Sequence, residues 1–199
     1  MTPRHPLFAE LRAALAARTP KSLGELPTGT RRASVLVPFF DAGGAPHLLF
    51  LKRPEGQYLH AGQIAFPGGK RDGDESAFEC ALREAQEEVG LTMGDVEVLG
   101  ELDEFDTVVT EFRITPIVGL IPHPYDFRPD PFEVERLITV PLSRLLDSSL
   151  FKQEWRRALG RLLPVYYYTV DEDVIWGVTG GMLTPLLELV RTLPSCPRP

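Results

Sequence analysis

The stretch GKRDGDESAFECALREAQEEVGL, Gly69 to Leu91, decides how the rest of the chain is read. Placed on a wheel at ~100° per residue, Glu75 to Val89 has a helical pattern. Phe78, Leu82, Ala85 and Val89 fall together as a core-facing stripe. Asp72 with Glu75 offers a capping-box-like start, and Gly90 a C-terminal stop. Glu84, Glu87 and Glu88 cluster on a different face at spacing i, i+3, i+4, where like charges repel by some tenths of a kcal/mol per exposed pair. A solvated face, with Arg83 pairing Glu87, tolerates that repulsion, and so does a face that holds a cation. Mg²⁺ and Mn²⁺ suit such a face, because they prefer oxygen ligands and accept a sphere shared with water and phosphate. The small residues Ala77, Cys80 and Ala81 lie on the carboxylate side, one and two turns earlier, and let a neighbouring loop come close.

Context decides between the two. Gly69, five residues, Glu75, seven residues, then Arg83-Glu84-Ala85-Gln86-Glu87-Glu88-Val89-Gly90-Leu91 resembles the Nudix box, G-x5-E-x7-R-E-U-x-E-E-x-G-U. Ala85 at the first U position is the one departure. The resemblance implies an α/β chain with a Nudix-type α/β/α sandwich, a mixed β-sheet and the box as loop–helix–loop. It implies Mg²⁺ or Mn²⁺ as cofactor. Glu84 and Glu88 would be metal ligands, Glu87 a third ligand or the residue that orients the attacking water. Arg83 would hold a glutamate in place, Glu75 would be mainly structural, and a backbone carbonyl near Gly68 or Gly69 would add a ligand.

Outward from the box, Pro6 to Ala17 reads as an amphipathic helix with Leu7, Phe8, Leu11 and Leu15 at helical spacing. Thr19 to Thr30 reads as a loop. Ala33 to Phe40 and His47 to Lys52 are β-rich and joined by hairpin chemistry at Asp41 to Pro46. Arg53 to Gly73 is a long glycine-containing loop, and loops of that length are usually functional. Strands are expected at Val96–Leu102 and Arg113–Ile121, and a short helix between Val140 and Leu146. Pro164–Val170 should pair with Val174–Trp176. A last helix spans Met182–Leu193, with Pro185 in its first turn. The expected division is an N-terminal helix and loop over 1–30, a Nudix domain over 31–193, and a tail over 194–199.

The segment before the box resembles the coenzyme A pyrophosphatase branch of the Nudix family. Arg53, Gly62 and Phe66-Pro67-Gly68-Gly69 fall in register with that branch. Leu51, Pro54 and Tyr58 stand where it has threonine, serine or alanine, and a second arginine. Val165 to Tyr168 and Val174 to Thr179 resemble a second piece of it. The implied substrate is a small nucleotide of the coenzyme A class, cleaved to 3′-phosphoadenosine monophosphate and 4′-phosphopantetheine. Arg53, Lys70, Arg71 and Tyr58 are the candidate substrate-binding residues. Acidic residues outside the box that could act as general base are Glu104, Asp106 and Glu111. The rival readings are a Nudix hydrolase of ADP-ribose, NADH, diadenosine polyphosphates or a damaged nucleotide, and a non-catalytic nucleotide-binding regulator. Such regulators commonly lose box glutamates, and this chain retains all three. A P-loop is excluded, because Arg71 follows Lys70 where Ser or Thr is needed.

With 199 residues, 43% of them hydrophobic and 25% charged, the chain has ordinary globular composition. A formal net charge of −7 argues against a nucleic-acid partner. Cys80 and Cys196 make no disulfide framework. No apolar run is long enough to span a bilayer and no signal-peptide core is visible, so no membrane partner and a cytoplasmic location are expected. The N-terminal helix is available for a homodimer contact.

Overall fold

The computed structural model describes residues 4–56, 61–107, 111–158 and 160–199. The chain opens with helix α1 (Leu7–Ala16), followed after a loop by strands β1 (Arg31–Asp41), β2 (Pro46–Lys52), β3 (Ile64–Ala65) and β4 (Gly68–Lys70). Helix α2 (Ala77–Val89) comes next, then β5 (Glu97–Glu101), β6 (Phe105–Asp106), β7 (Phe112–Leu120) and β8 (Arg136–Pro141). Helix α3 (Leu142–Leu146), strands β9 (Phe151–Ala158), β10 (Arg161–Val170) and β11 (Asp173–Trp176), and helix α4 (Gly177–Arg191) complete it.

The main sheet is mixed, with the order β3-β2-β1-β7-β5. Its centre is the parallel pair β1 and β7, in register from Arg31↔Phe112 to Phe39↔Leu120. The β1–β2 hairpin is antiparallel and closes at Asp41↔Pro46, where the turn chemistry put it. On the same edge β1 also takes β4, with Ala33↔Lys70 and Val35↔Gly68. This second pairing lays the start of the box against the central strand.

Near-continuous burial along β1, β2 and β7 follows from helices on both faces. Val35, Val37, Phe39, Leu48, Phe50 and Ile114 share one core with α1, α3 and α4. Leu36, Phe40, Leu49, Leu51 and Ile117 share the other with Ala81, Leu82, Ala85 and Val89 of α2. The alternation is the period-2 pleat, and the result is an α/β/α sandwich. A helix as short as α1 is marginal alone. Burying Leu7, Phe8, Leu11 and Leu15 in the common core contributes roughly 6–12 kcal/mol before entropy and holds it in place. That face is therefore spent inside the chain and cannot also serve a homodimer contact.

Several expectations shift. Phe78 is 43% exposed, because a wheel fixes a direction but not whether anything packs there. Ala81 and Cys80 are buried instead. The capping box belongs to Ser76 and Glu79, not to Asp72 and Glu75, so α2 starts two residues later. Asp72 and Glu75 still bond each other in the turn just before it. Helix α4 starts at Gly177, which places Pro185 in its interior. Its two small residues are required by contacts, since a Cβ at Gly180 would meet the Tyr166 carbonyl and one at Gly181 the Phe105 ring. Tertiary packing thus outweighs poor helix propensity. Strands β8 and β9 were not anticipated. β8 completes the outer edge of β2, and β9 joins β10 and β11 in a separate three-stranded antiparallel sheet.

Candidate active site

Pairing of β4 with β1 brings the Gly68–Gly69 backbone onto the carboxylate face of α2. The Gly68 N–H donates to Glu88 Oε2 at 2.8 Å. A Cβ on Gly69 would lie against the Glu84 carboxyl group, so the absent side chain is what admits that carboxylate. The Cys80 thiol contacts the Gly69 carbonyl at 3.5 Å, the close loop approach that the small residues allow.

Arg83 ties the face together. Its Nε and Nη2 donate to the two oxygens of Glu75 at 2.8 and 3.0 Å. Its Nη1 donates to Glu84 and to Glu87, both at 2.9 Å, and Nη2 reaches the Lys70 carbonyl. The bidentate arginine pulls Glu75 down to about 2. Glu87 is the open member of the trio, with its side chain 57% exposed.

Glu88 is the inverse case, at 1% exposure. Burial pushes its carboxyl up to about 7, against the pull of Arg53 and the Gly68 N–H. Burial raises Glu84 as well, opposed by Arg83. Two desolvated carboxylates on one helical face carry a standing electrostatic cost that a cation relieves. Among the described residues no three His, Cys, Asp or Glu side chains converge as a ready cage. Side chains here supply only part of a coordination sphere, which suits an ion that keeps water and phosphate ligands.

The other candidates separate. Arg53 Nη2 donates to Glu88 Oε1 at 3.1 Å, and Nη1 stands 4.0 Å from Glu133. Lys70 is exposed at the rim of a cavity of about 190 Å³ beside the box. Arg71 is one residue on and turns to the other face, where it donates to Ser34 Oγ and Thr115 Oγ1. The pleat sends successive side chains to opposite sides, so Arg71 braces the sheet and does not line the cavity. Tyr58 lies outside the described residues.

Arg53, Gln63, Phe66 and Lys70 line the cavity on one side, Val178 and Thr179 on the other. Thr179 Oγ1 donates to the Ile64 carbonyl at 2.9 Å and joins the two walls. A larger cavity of about 430 Å³ between Arg18, Phe105 and Glu188 contains none of the box residues. Size does not mark the site here; chemistry does.

Of the acidic residues outside the box, Glu104 accepts from Ser22 and Leu23, and Asp106 accepts from Nε and Nη2 of Arg113, whose Nη1 donates to the Gly24 carbonyl. Both serve to hold the Lys21–Glu25 loop. Glu111 is exposed, at φ 53°. Glu133 was missed as a site residue, yet its charge raises both Glu84 and Glu88. Its loop is fixed to the end of α2, where Arg128 N–H and Asp130 N–H donate to the Val89 and Glu88 carbonyls. These are helix-terminal carbonyls with no partner within the helix. The docking of its loop is what brings Glu133 to the box.

A NUDIX domain family model matches residues 30–158. A Photorhabdus laumondii protein named "Uncharacterized Nudix hydrolase NudL" is 36% identical over 173 residues, 86% of this chain and 90% of that protein. Its Pectobacterium atrosepticum namesake is 38% identical over 172 residues, 82% of this chain and 85% of the other. Among solved structures, a MutT/nudix family protein from Enterococcus faecalis superposes with TM-score 0.57 at 13% identity, over 84% of this chain and 64% of that one. The NUDIX domain of Shewanella oneidensis NrtR, solved with ADP-ribose, gives 0.50 at 15% identity, over 90% and 96%. At such identities these structures speak to the fold alone. No helix among the described residues is long and apolar enough to cross a membrane. With a family model over more than half of its length, and relatives above 30% identity along most of it, this chain belongs to the Nudix hydrolase family.

Proposed function

We propose that this Nudix hydrolase cleaves the diphosphate of coenzyme A or its derivatives, releasing 3′-phosphoadenosine monophosphate and 4′-phosphopantetheine. One observation carries the reading. The two segments that resemble the coenzyme A branch, Gly62–Gly69 and Val174–Thr179, are far apart in sequence, yet they meet through Thr179 and Ile64 and line one cavity beside the box.

Glu84 and Glu88, with the backbone at Gly68–Gly69, would hold Mg²⁺ or Mn²⁺, and Glu87 remains open to solvent as a third ligand or to orient water. The ion, when bound, neutralises diphosphate charge and acidifies a bound water. The chain's own part is positional and electrostatic. Arg83 fixes the rotamers of Glu75, Glu84 and Glu87 at once. Arg53 offers a guanidinium fork to a phosphate oxygen next to Glu88, and Lys70 adds a point charge at the cavity rim. Glu133, 4.0 Å from Arg53 Nη1, is the carboxylate outside the box that would take a proton from the attacking water.

The test is a substrate panel with Mg²⁺ and with Mn²⁺, comparing coenzyme A, dephospho-coenzyme A, ADP-ribose, NADH and diadenosine polyphosphates. The expected result is the highest kcat/KM on coenzyme A or a thioester of it. No turnover of either would overturn the proposal in favour of whichever nucleotide is cleaved.

A further inference from the structure

The hairpin of β9 and β10 carries a surface that the catalytic reading does not use. Its register pairs Phe151↔Tyr168, Gln153↔Tyr166, Trp155↔Pro164 and Arg157↔Leu162, so these residues share one face. At the base of the hairpin that face belongs to the core, through Tyr168 and Phe151. Towards the tip it runs out into solvent, with Trp155 60% and Leu162 58% exposed. Apart from the exposed Gln153 and Arg157 this face is apolar, runs on from the core and ends on an open tryptophan, which is uncommon on a monomer. The neighbouring backbone is open as well. Among the described residues β9 pairs with β10 alone, so its outer edge presents unpaired N–H and C=O groups, the usual template for adding a strand.

Charge identifies the occupant. Lys152, Glu154 and Arg156 alternate along the opposite face of β9, where Glu154 pairs with both neighbours. A two-fold axis normal to the sheet joins two copies of the strand antiparallel with the same face up, so the axis must pass through a residue position. Centred on Glu154 or on Arg156, the pairing sets two identical charges opposite each other. Centred on Gln153, it also sets Lys152 opposite Glu154 but pairs only the five residues Phe151 to Trp155, against the seven from Lys152 to Ala158 when centred on Trp155. Centred on Trp155, it sets Glu154 opposite Arg156 of the second copy, twice by symmetry, and stacks Trp155 on its own counterpart. We infer that a second copy of this chain docks along the outer edge of β9 in this register, making a continuous six-stranded antiparallel sheet. Cross-strand opposite charges and aromatic pairs are the interactions that stabilise such a seam.

The test is self-association of the full chain by sedimentation velocity and light scattering. Wild type is expected at twice 22.2 kDa at micromolar concentration and above. Reversing one charge, Glu154→Arg or Arg156→Glu, sets like charges opposite each other at both symmetry-related positions and should weaken the dimer by about tenfold or more. The swap Glu154→Arg with Arg156→Glu restores both pairs and should restore the dimer. Far-UV circular dichroism and hydrolase activity verify that each variant folds, since none of these residues touches the cavity. A monomeric wild type at several hundred micromolar overturns the inference. So does a dimer that both single reversals leave intact, which would place the contact elsewhere, and so does a swap that fails to rescue.

Discussion

Replacing Glu88 with Gln separates the two things its burial does. The carboxyl is raised from an ordinary 4.5 to about 7 by desolvation. Below about pH 4.5 folded and unfolded chains are both protonated here, and the site is neutral towards stability. Between 4.5 and 7 the folded chain keeps a proton that the unfolded chain has lost, so stability falls as pH rises. Above 7 both are ionised, and the folded state carries the whole difference, about 3 kcal/mol at 1.36 kcal/mol per pKa unit. Gln has no charge to desolvate and its carbonyl can still accept from the Gly68 N–H. In chelator, the stability of Glu88→Gln relative to wild type should therefore improve by about 3 kcal/mol from pH 4.5 to 8.5. That is roughly 6–12 °C in relative Tm for a chain of this size. Adding Mn²⁺ should recover wild type at high pH and leave the variant unmoved. Activity goes the other way, with kcat falling by on the order of a hundredfold or more. The assay is thermal unfolding across pH with and without metal, beside single-turnover hydrolysis. Parallel pH curves for the two proteins, or undiminished kcat in the variant, would refute the reasoning.

Three further substitutions test the neighbours. Gly69→Ala places a methyl against the Glu84 carboxyl group, the movable end of a side chain, at a position without left-handed backbone. It should lower kcat by about tenfold or more while Tm moves by only a few degrees; a large loss of stability with normal kcat in the folded fraction would contradict it. Arg53→Ala should reduce kcat/KM for coenzyme A and dephospho-coenzyme A alike, by ~10–100-fold, because Arg53 stands at Glu88. A loss confined to coenzyme A would move it to the 3′-phosphate. Glu133→Gln should cost ~10²-fold in kcat, as expected of a general base; an undiminished kcat would leave Glu133 a purely electrostatic neighbour.

Much of the carboxylate face of α2 is local chemistry, and local chemistry is legible. The i, i+3, i+4 spacing of Glu84, Glu87 and Glu88 puts three carboxylates on one side of α2 wherever the helix packs, and Gly90 ends the helix in the left-handed conformation as its type suggests. The β-rich runs of β1 and β2, with a glycine-rich turn between them, specified the hairpin. The sequence also announced α1 through its four apolar positions. These features depend on neighbours within a turn or a hairpin.

What the sequence alone could not supply is everything that depends on which surfaces meet. Phe78 has the right wheel angle, yet packing leaves it 43% exposed. Lys70 and Arg71 are adjacent cations, yet the pleat of β4 sends one to the cavity and the other to Ser34. Glu133 enters the site only because its loop caps the end of α2. Glu88 and Glu87 are chemically identical neighbours, and tertiary burial alone puts one at 1% exposure with a raised pKa and the other in solvent. Residue type and spacing determined which charged groups this protein gathers around α2. The tertiary structure decided which of them are desolvated, and desolvation sets how strongly a charge acts.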